Sequence, residues 1–348
     1  MKQSRKSRKG RKSRKSRQSR KNRRFVKYGG GIKELQNAID QNNLELLRRL
    51  LETGEDSTIL GNNGNTLLMR VALKSSGNLA QLLLEKGADP NIQNTNNLTA
   101  LIIACLNENT EVASVLLDAG VNPDIQNNDG DTALSIACLQ GNVEIVRALL
   151  KKGANPNIQN NEGDTALLEA CFQGNVEIVI ALLKKGADPD IQNNAGNTAL
   201  YITCRDNNLE IAQLLLENGA DPDTRDNTGS TALYVACQLN RLEIVKLLLE
   251  NGADPNIPDN DGDTALIMAC QAGREEVIEL LVLDRRVDIS INHNVALETL
   301  VENDDVDESN KITLVRLFLE RGAQYDDDGV VNDFIVNHPS VLSDKSLP

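Results

Sequence analysis

Apolar and polar residues follow one another along this chain in a pattern that restarts at one fixed interval. From Asn127 to Gln159 the text is NNDGDTALSIACLQGNVEIVRALLKKGANPNIQ. From Asn160 to Gln192 it returns as NNEGDTALLEACFQGNVEIVIALLKKGADPDIQ. The first apolar block, TALSIACLQ, predicts a short helix with Thr132 as N-cap and Leu134, Ile136, Ala137 and Cys138 facing inward. Gly141-Asn142 then breaks the chain. The second block, VEIVRALLKK, predicts a helix that buries Val143, Val146, Leu149 and Leu150. Its closing Lys151-Lys152 suits the negative end of the helix dipole, and Gly153 supplies a left-handed C-cap. Pro156 and NIQNNDG predict an extended, hairpin-like finger with Ile158 tucked against the stack and Gly130 allowing the turn.

The register holds over a long stretch. The threonine that opens the first helix stands at Thr99, Thr132, Thr165, Thr198, Thr231 and Thr264. The glycine that closes the second stands at Gly87, Gly120, Gly153, Gly186, Gly219 and Gly252. A constant period of this length predicts a stacked solenoid, because one such unit is too small to bury its own apolar face. Six regular copies span 94–291, and an imperfect one, with Thr66-Leu67-Leu68, spans 61–93. Within 28–60, a stretch from Ile32 to Asp40 and another from Leu44 to Glu52 predict two amphipathic helices of a degenerate first repeat, with a polar outer face expected of a cap. After the regular copies the rhythm slips: Arg286-Val287-Asp288 stands one residue late for Gly-Ala-Asp. A degenerate repeat is expected over 292–327, with helices Asn294 to Asn303 and Ile312 to Glu320 around the acidic loop DDVDESN. A capping helix, Val330 to Val336, and a frayed tail are expected over 328–348.

The unit resembles the ankyrin repeat: a finger, then helix–loop–helix, with Thr opening helix one, Gly between the helices and Gly-Ala-Asp-x-Asn after helix two. The resemblance covers residues 32–327 and implies an all-α solenoid with short β-hairpin-like fingers, about nine repeats including degenerate caps. One departure is systematic. The family's Pro-His after the threonine is missing: Ala follows each Thr of the regular copies, and Ile102, Ser135, Leu168, Tyr201, Tyr234 and Ile267 hold the His position. In the family that histidine ties neighbouring fingers, so its loss predicts a softer finger network on the same fold. The Asn-rich fingers and the Lys/Arg/Ser start also resemble, in composition only, ankyrin proteins of giant DNA viruses.

Charge divides the chain. The net charge is −13, yet residues 1–27 carry 15 Lys and Arg and no acid, which leaves 22 basic against 50 acidic residues elsewhere, a net charge of −28. A segment with no apolar residue between Met1 and Phe25 has nothing to fold around and reads as disordered. Its Arg5, Lys6, Arg8, Lys9, Arg11, Lys12, Arg14 and Lys15 fit an import signal or contacts to nucleic acid phosphates. A solubilising tail is the bland alternative. Phosphorylation at Ser4, Ser7, Ser13, Ser16 and Ser19 would remove much of that charge. The six cysteines, Cys105 to Cys270, recur once per repeat. Stacked helices lie about 8–10 Å apart, too far for disulfides between neighbours, so they read as small buried hydrophobes in a reducing compartment.

Chemistry finds little footing. The two histidines, His293 and His338, are not spaced as a metal pair, and no nucleophile–base set can be assembled, so no enzyme is expected. Gly29-Gly30-Gly31 has no preceding strand and no following Lys-Ser/Thr, so it is not a phosphate loop. Asp259, Asp261 and Asp263 could suggest calcium but read as turn residues. No cofactor is expected. The longest apolar run, Ala100 to Leu106, is too short to span a bilayer, and no signal peptide is expected.

The resemblance implies a protein-interaction scaffold that binds through the finger tips and the exposed side of helix one. The position after each Cys carries Leu106, Leu139, Phe172, Arg205, Gln238 and Gln271. Leu106, Leu139 and Phe172, with Tyr201 and Tyr234 nearby, are the candidate apolar centre. Asp129, Asp131, Glu162, Asp164, Asp226, Asp261 and Asp263 are the candidate acidic rim for a basic protein partner. The alternative is that the apolar groups pad the stack. Glu169, where other copies carry Ile, Val or Met, is expected to reach the groove edge. The chain is expected to act as a monomer in the nucleus or cytoplasm of a host cell or in a virion. The runner-up function is a nucleic-acid-associated or packaging factor working through the arm.

Overall fold

A computed structural model describes residues 31–53, 63–291, 295–326 and 329–342. The chain divides into two compact units, Met1–Asn155 and Pro156–Pro348. The first holds α1 (residues 31–40), α2 (Leu44–Glu52), α3 (Leu67–Ala72), α4 (Gly77–Glu85), α5 (Ala100–Leu106), α6 (Thr110–Asp118), α7 (Ala133–Leu139) and α8 (Val143–Lys151). In this unit α3, α5 and α7 pack side by side in one layer, and α2, α4, α6 and α8 in a second. The second unit repeats the plan. One layer is α9 (Ala166–Phe172), α11 (Ala199–Arg205), α13 (Ala232–Gln238), α15 (Ala265–Gln271), α17 (Val295–Glu302) and α19 (Val330–Asn337). The other is α10 (Val176–Leu183), α12 (Leu209–Glu217), α14 (Leu242–Glu250), α16 (Glu275–Leu283) and α18 (Glu308–Glu320), and a 3-10 turn, Pro339–Leu342, follows α19. No strand occurs among the described residues.

Local chemistry explains the helices. Thr132 caps α7, its hydroxyl accepting from the Ser135 amide at 3.2 Å. Thr99, Thr165, Thr198, Thr231 and Thr264 do the same for their helices. These first helices are seven residues long and almost wholly buried; in α7 Ala133 through Cys138 are all inside. A helix this short is marginal alone, so packing on both sides supplies its stability. The second helices bury one stripe. In α8 that stripe is Ile145, Val146, Leu149 and Leu150. The expected Val143 is only half-buried, because it stands at the first helical position, beyond the layer that Ile145 reaches. Asn142 caps α8 through its side chain, and Lys152 pairs with Asp118 at 2.9 Å. All six cysteines are buried, and desolvation pushes the Cys105 thiol up to about 12, with Cys171, Cys204, Cys237 and Cys270 also raised.

The fingers are tight turns tied to one another by amides. In the second unit Asn160, Asn193, Asp226 and Asp259 each fold the tip by accepting two backbone N–H groups on one side-chain oxygen. Between tips, the Asn194 amide donates to the Glu162 carbonyl at 2.9 Å, Asn227 to Ala195 at 3.1 Å and Asn260 to Thr228 at 2.9 Å. The side-chain amides of the same three asparagines donate to the Asn161, Asn194 and Asn227 carbonyls. Gln159 and Gln192 reach the Gln192 and Arg225 carbonyls one repeat on. The tie expected to be lost with the family histidine is therefore made by Asn and Gln side chains. Gly163 is required sterically as well as conformationally: with φ at +81°, a Cβ there would lie 2.7 Å from the Asn194 nitrogen. Ile158 is half-buried, and Pro156 is the residue that goes inside.

The C-terminal end departs from the expected outline in two places, the start of α18 and the stretch after α19. The α18 helix starts at Glu308, so the last three residues of DDVDESN are its first turn, capped by Asp307 through Ser309. No glycine ends α16. Arginines satisfy the loose carbonyls instead: Arg321 donates to those of Val282, Asp284 (2.9 Å) and Val287 (3.0 Å), and Arg286 pairs with Asp284. The stretch after α19 is also held, since Val341 is buried and Arg316 donates to the Ser340 and Val341 carbonyls. The frayed tail expected beyond it falls at 343–348, outside the described residues.

Candidate partner-binding surface

The residue that ends each regular first helix directly follows the buried cysteine, and the helix turn carries it out of the core. In the first unit Leu106 is 44% exposed and Leu139 46%. In the second, Phe172 is 37% exposed, and the Arg205 guanidinium lies 5.6 Å from its ring centre. Arg205 is itself held by Asp206 through two hydrogen bonds. Gln238 and Gln271 occupy the same register exposed to water, with the Gln271 amide donating to Asp263 at 2.9 Å. Glu169 is half-exposed on α9.

Of the two tyrosines, only Tyr201 keeps part of its surface open. Tyr234 is buried and its hydroxyl donates to Asp259 at 2.9 Å, so it pins α13 to the next finger and offers no open surface. Its phenol is raised by burial and then by Asp259. Tyr201 is half-buried beside Asp226; burial first, and that carboxylate next, push its phenol up to about 12, with Arg205 opposing. The acidic candidates also separate. Asp129, Glu162 and Asp261 are exposed. Asp164 is buried and accepts from Asn193 at 2.9 Å, which removes it from any rim. Asp226 is half-buried with one oxygen folding its own turn, and Asp131 and Asp263 are half-exposed. The carboxylate of Asp259 is taken by the Asp261 and Asp263 amides and by Tyr234. The arm residues Arg5, Lys6, Arg8, Lys9, Arg11, Lys12, Arg14 and Lys15, and His293, lie outside the described residues.

Sequence reasoning missed one residue of this surface. Leu73 follows α3 in the imperfect repeat and is 51% exposed. It stands one period before Leu106, a signal that was readable but hidden because its repeat lacks the cysteine that marks the others.

Comparison with known proteins settles the family. The family described as ankyrin repeats (3 copies) matches overlapping windows at 35–127, 68–160, 116–193, 150–226, 182–259 and 223–295. The chain belongs to the ankyrin repeat family. Its ankyrin solenoid is similar to the crystal structure of the ankyrin repeat domain of Bcl-3, described there as a unique member of the IkappaB protein family. The TM-score is 0.55 and the identity 28%, over 71% of this chain and 97% of that one. No curated protein matches the sequence. Ankyrin repeats serve generally as protein–protein interaction scaffolds, and no helix among the described residues is long and apolar enough to cross a membrane.

Proposed function

We propose that this ankyrin chain is a non-catalytic scaffold that captures a protein partner through the exposed ends of its first helices and its finger tips. One observation carries the reading. The position held by exposed Leu106, Leu139 and Phe172 is held by Arg205, Gln238 and Gln271 in the later copies, on helices of the same length with the same threonine cap. The fold accepts polar groups there, which favours a surface role for the apolar ones over padding of the stack. Exposed Asp129, Glu162 and Asp261, in a body of net charge −28, favour a partner with a basic surface and steer its approach. Tyr234 and Asp164 support this surface from within.

The test is a nuclease-treated pull-down from host-cell lysate, with bound proteins identified by mass spectrometry and the affinity of a recovered partner then measured. Leu139→Ser with Phe172→Ser should lose the partner while the thermal transition stays in place. Retention of the same partner by that variant overturns the reading. The composition of residues 1–27 supports a second activity, contact of the arm with nucleic acid phosphates. Capture that disappears with nuclease, or on removing residues 1–27, would make the arm the binding element and the repeats its carrier.

A further inference from the structure

The fingers fold their tips in one way and anchor them in two. At Asn94, Asn193 and Asp259 alike, one side-chain oxygen accepts two backbone N–H groups. The other terminal atom of that side chain makes the anchor. On an Asn it is an NH2 group, which donates to the finger one repeat back: Asn94 to Asn65 at 2.7 Å and Asn193 to Asp164 at 2.9 Å. On Asp259 it is a carboxylate oxygen, which accepts from the Tyr234 hydroxyl at 2.9 Å. Tyr234 stands on α13, and the finger of Asp259 leads into α15, which packs on α13. Tyr201 stands beside Asp226 in the same register. The sequence carries the same division. At a separation of 25 residues, Met69, Ile102, Ser135, Leu168 and Ile267 precede Asn94, Asn127, Asn160, Asn193 and Asn292, whereas Tyr201 and Tyr234 precede Asp226 and Asp259. In this register Asp takes the tip only where tyrosine stands on the helix before it.

We propose that Tyr234 and Asp259 form a latch between a first helix and the next finger, that the pair is exchanged as a unit for the Asn anchor of the other copies, and that Tyr201 with Asp226 is its second copy. The donor and acceptor chemistry explains why the two residues change together. An ionised carboxylate only accepts, an amide NH2 only donates, and a phenol hydroxyl can donate. Once one oxygen has taken the two backbone amides, an Asp tip calls for a further donor and an Asn tip for an acceptor. The buried phenol of Tyr234 is that donor, and a bond to a charged acceptor is of the stronger kind. Methionine, isoleucine and leucine on the helix offer no donor, and there the tip is Asn. The amides that Asp259 holds belong to Asp261, which is exposed, and Asp263, which is half-exposed. Tyr234 therefore acts through Asp259 as a positioning residue for both acids. The latch fixes this finger whether or not a partner binds, and so it stands apart from the scaffold reading.

Hydrogen exchange at single finger amides, read by NMR on the full chain, tests the latch. Tyr234→Phe keeps the buried ring and removes only its hydroxyl. It should speed exchange of the Asp261 and Asp263 amides at least about tenfold. The Ala195 and Asn197 amides, in the finger folded by Asn193, should be unchanged. Adding Asp259→Asn to Tyr234→Phe should bring the finger back towards the rate of the unaltered chain. Ser230 stands 29 residues before that tip, as Asp164 does before Asn193, and its hydroxyl can accept from the new NH2. A double variant that exchanges as fast as Tyr234→Phe alone overturns the exchange of the pair as a unit. Unchanged Asp261 and Asp263 amides in Tyr234→Phe overturn the latch, and so does an acceleration spread evenly over the second unit, which loss of packing would produce. Tyr201→Phe, at the more open ring, should speed the Thr228 and Ser230 amides in the same way, and no change there overturns the second copy. The pull-down above judges the scaffold independently of all these outcomes.

Discussion

At the scale of single residues, two kinds of glycine separate in this fold. Gly153 ends α8 with φ at +88° and has nothing within 4 Å of where a Cβ would sit. Gly196 has φ at +82°, and a Cβ there would lie 2.6 Å from the Asn227 nitrogen, inside the finger ladder. Gly153→Ala should therefore cost only the left-handed conformation, about 1 kcal/mol. Gly196→Ala should cost clearly more, about 2–3 kcal/mol, because a backbone hydrogen bond must also shift. Urea unfolding of the two variants checks the order, and equal costs would refute it. Tyr201 gives a pH prediction. Its folded phenol is raised from 10.0 to about 12, so its contribution is complete below pH 10 and is lost as pH rises from about 10 towards about 12. Spectrophotometric titration should find Tyr201 ionising late, and Tyr201→Phe should flatten that part of the stability profile.

At the scale of elements, regular repeats and degenerate ones solve the same problem differently. A helix leaves its last carbonyls without partners. In regular copies a left-handed glycine turns the chain so that they are met, as at Gly153, where the Ala154 amide returns to the Leu149 carbonyl at 3.1 Å. At the end of α16 the glycine is absent, and Arg321, on the far side of α17 and α18 in the chain, supplies the donors. Arg321→Ala should destabilise the second unit by about 2–3 kcal/mol, since charged donors to partly buried carbonyls are removed. Hydrogen exchange should rise first in α16 and α18; unchanged exchange there would show the arginine to be dispensable. This contact explains why the sequence pattern slips where the layer continues. A pattern reader follows local periodicity, and a donor from a distant helix leaves no periodic mark. The same limit hid the start of α18, where Glu308, Ser309 and Asn310 look like loop but are helical because Asp307 caps them.

At the scale of the whole molecule, charge is the feature that sequence states most plainly. Removing residues 1–27 takes the net charge from −13 to −28. Polyanion binding by the full chain should fall steeply as salt rises from about 50 to about 200 mM, and it should vanish in the shortened chain. A salt-independent interaction, measured on a heparin column or by fluorescence anisotropy with random-sequence DNA, would refute an electrostatic arm. Much of the candidate surface was also legible. Leu106, Leu139 and Phe172 share one register in the sequence, and their exposure follows from the helix turn that separates them from the cysteines. What register could not give was the inside or outside of residues whose partners lie one repeat away. Asp164 has the same register as the more open Asp131, Asn197 and Asp263, yet it is buried and accepts from Asn193 of the next repeat.

The repeat, the helix pair, the threonine and asparagine caps, the buried cysteines and the line of apolar side chains can all be read along the chain. Each of these is set by contacts within about one period, so each leaves a mark once per repeat. Stacking decided which acids remain open and how the last repeats are closed by arginine. Those outcomes depend on donors and acceptors brought together from different repeats. Their geometry exists only once the helices have packed, and no pattern along the chain encodes it.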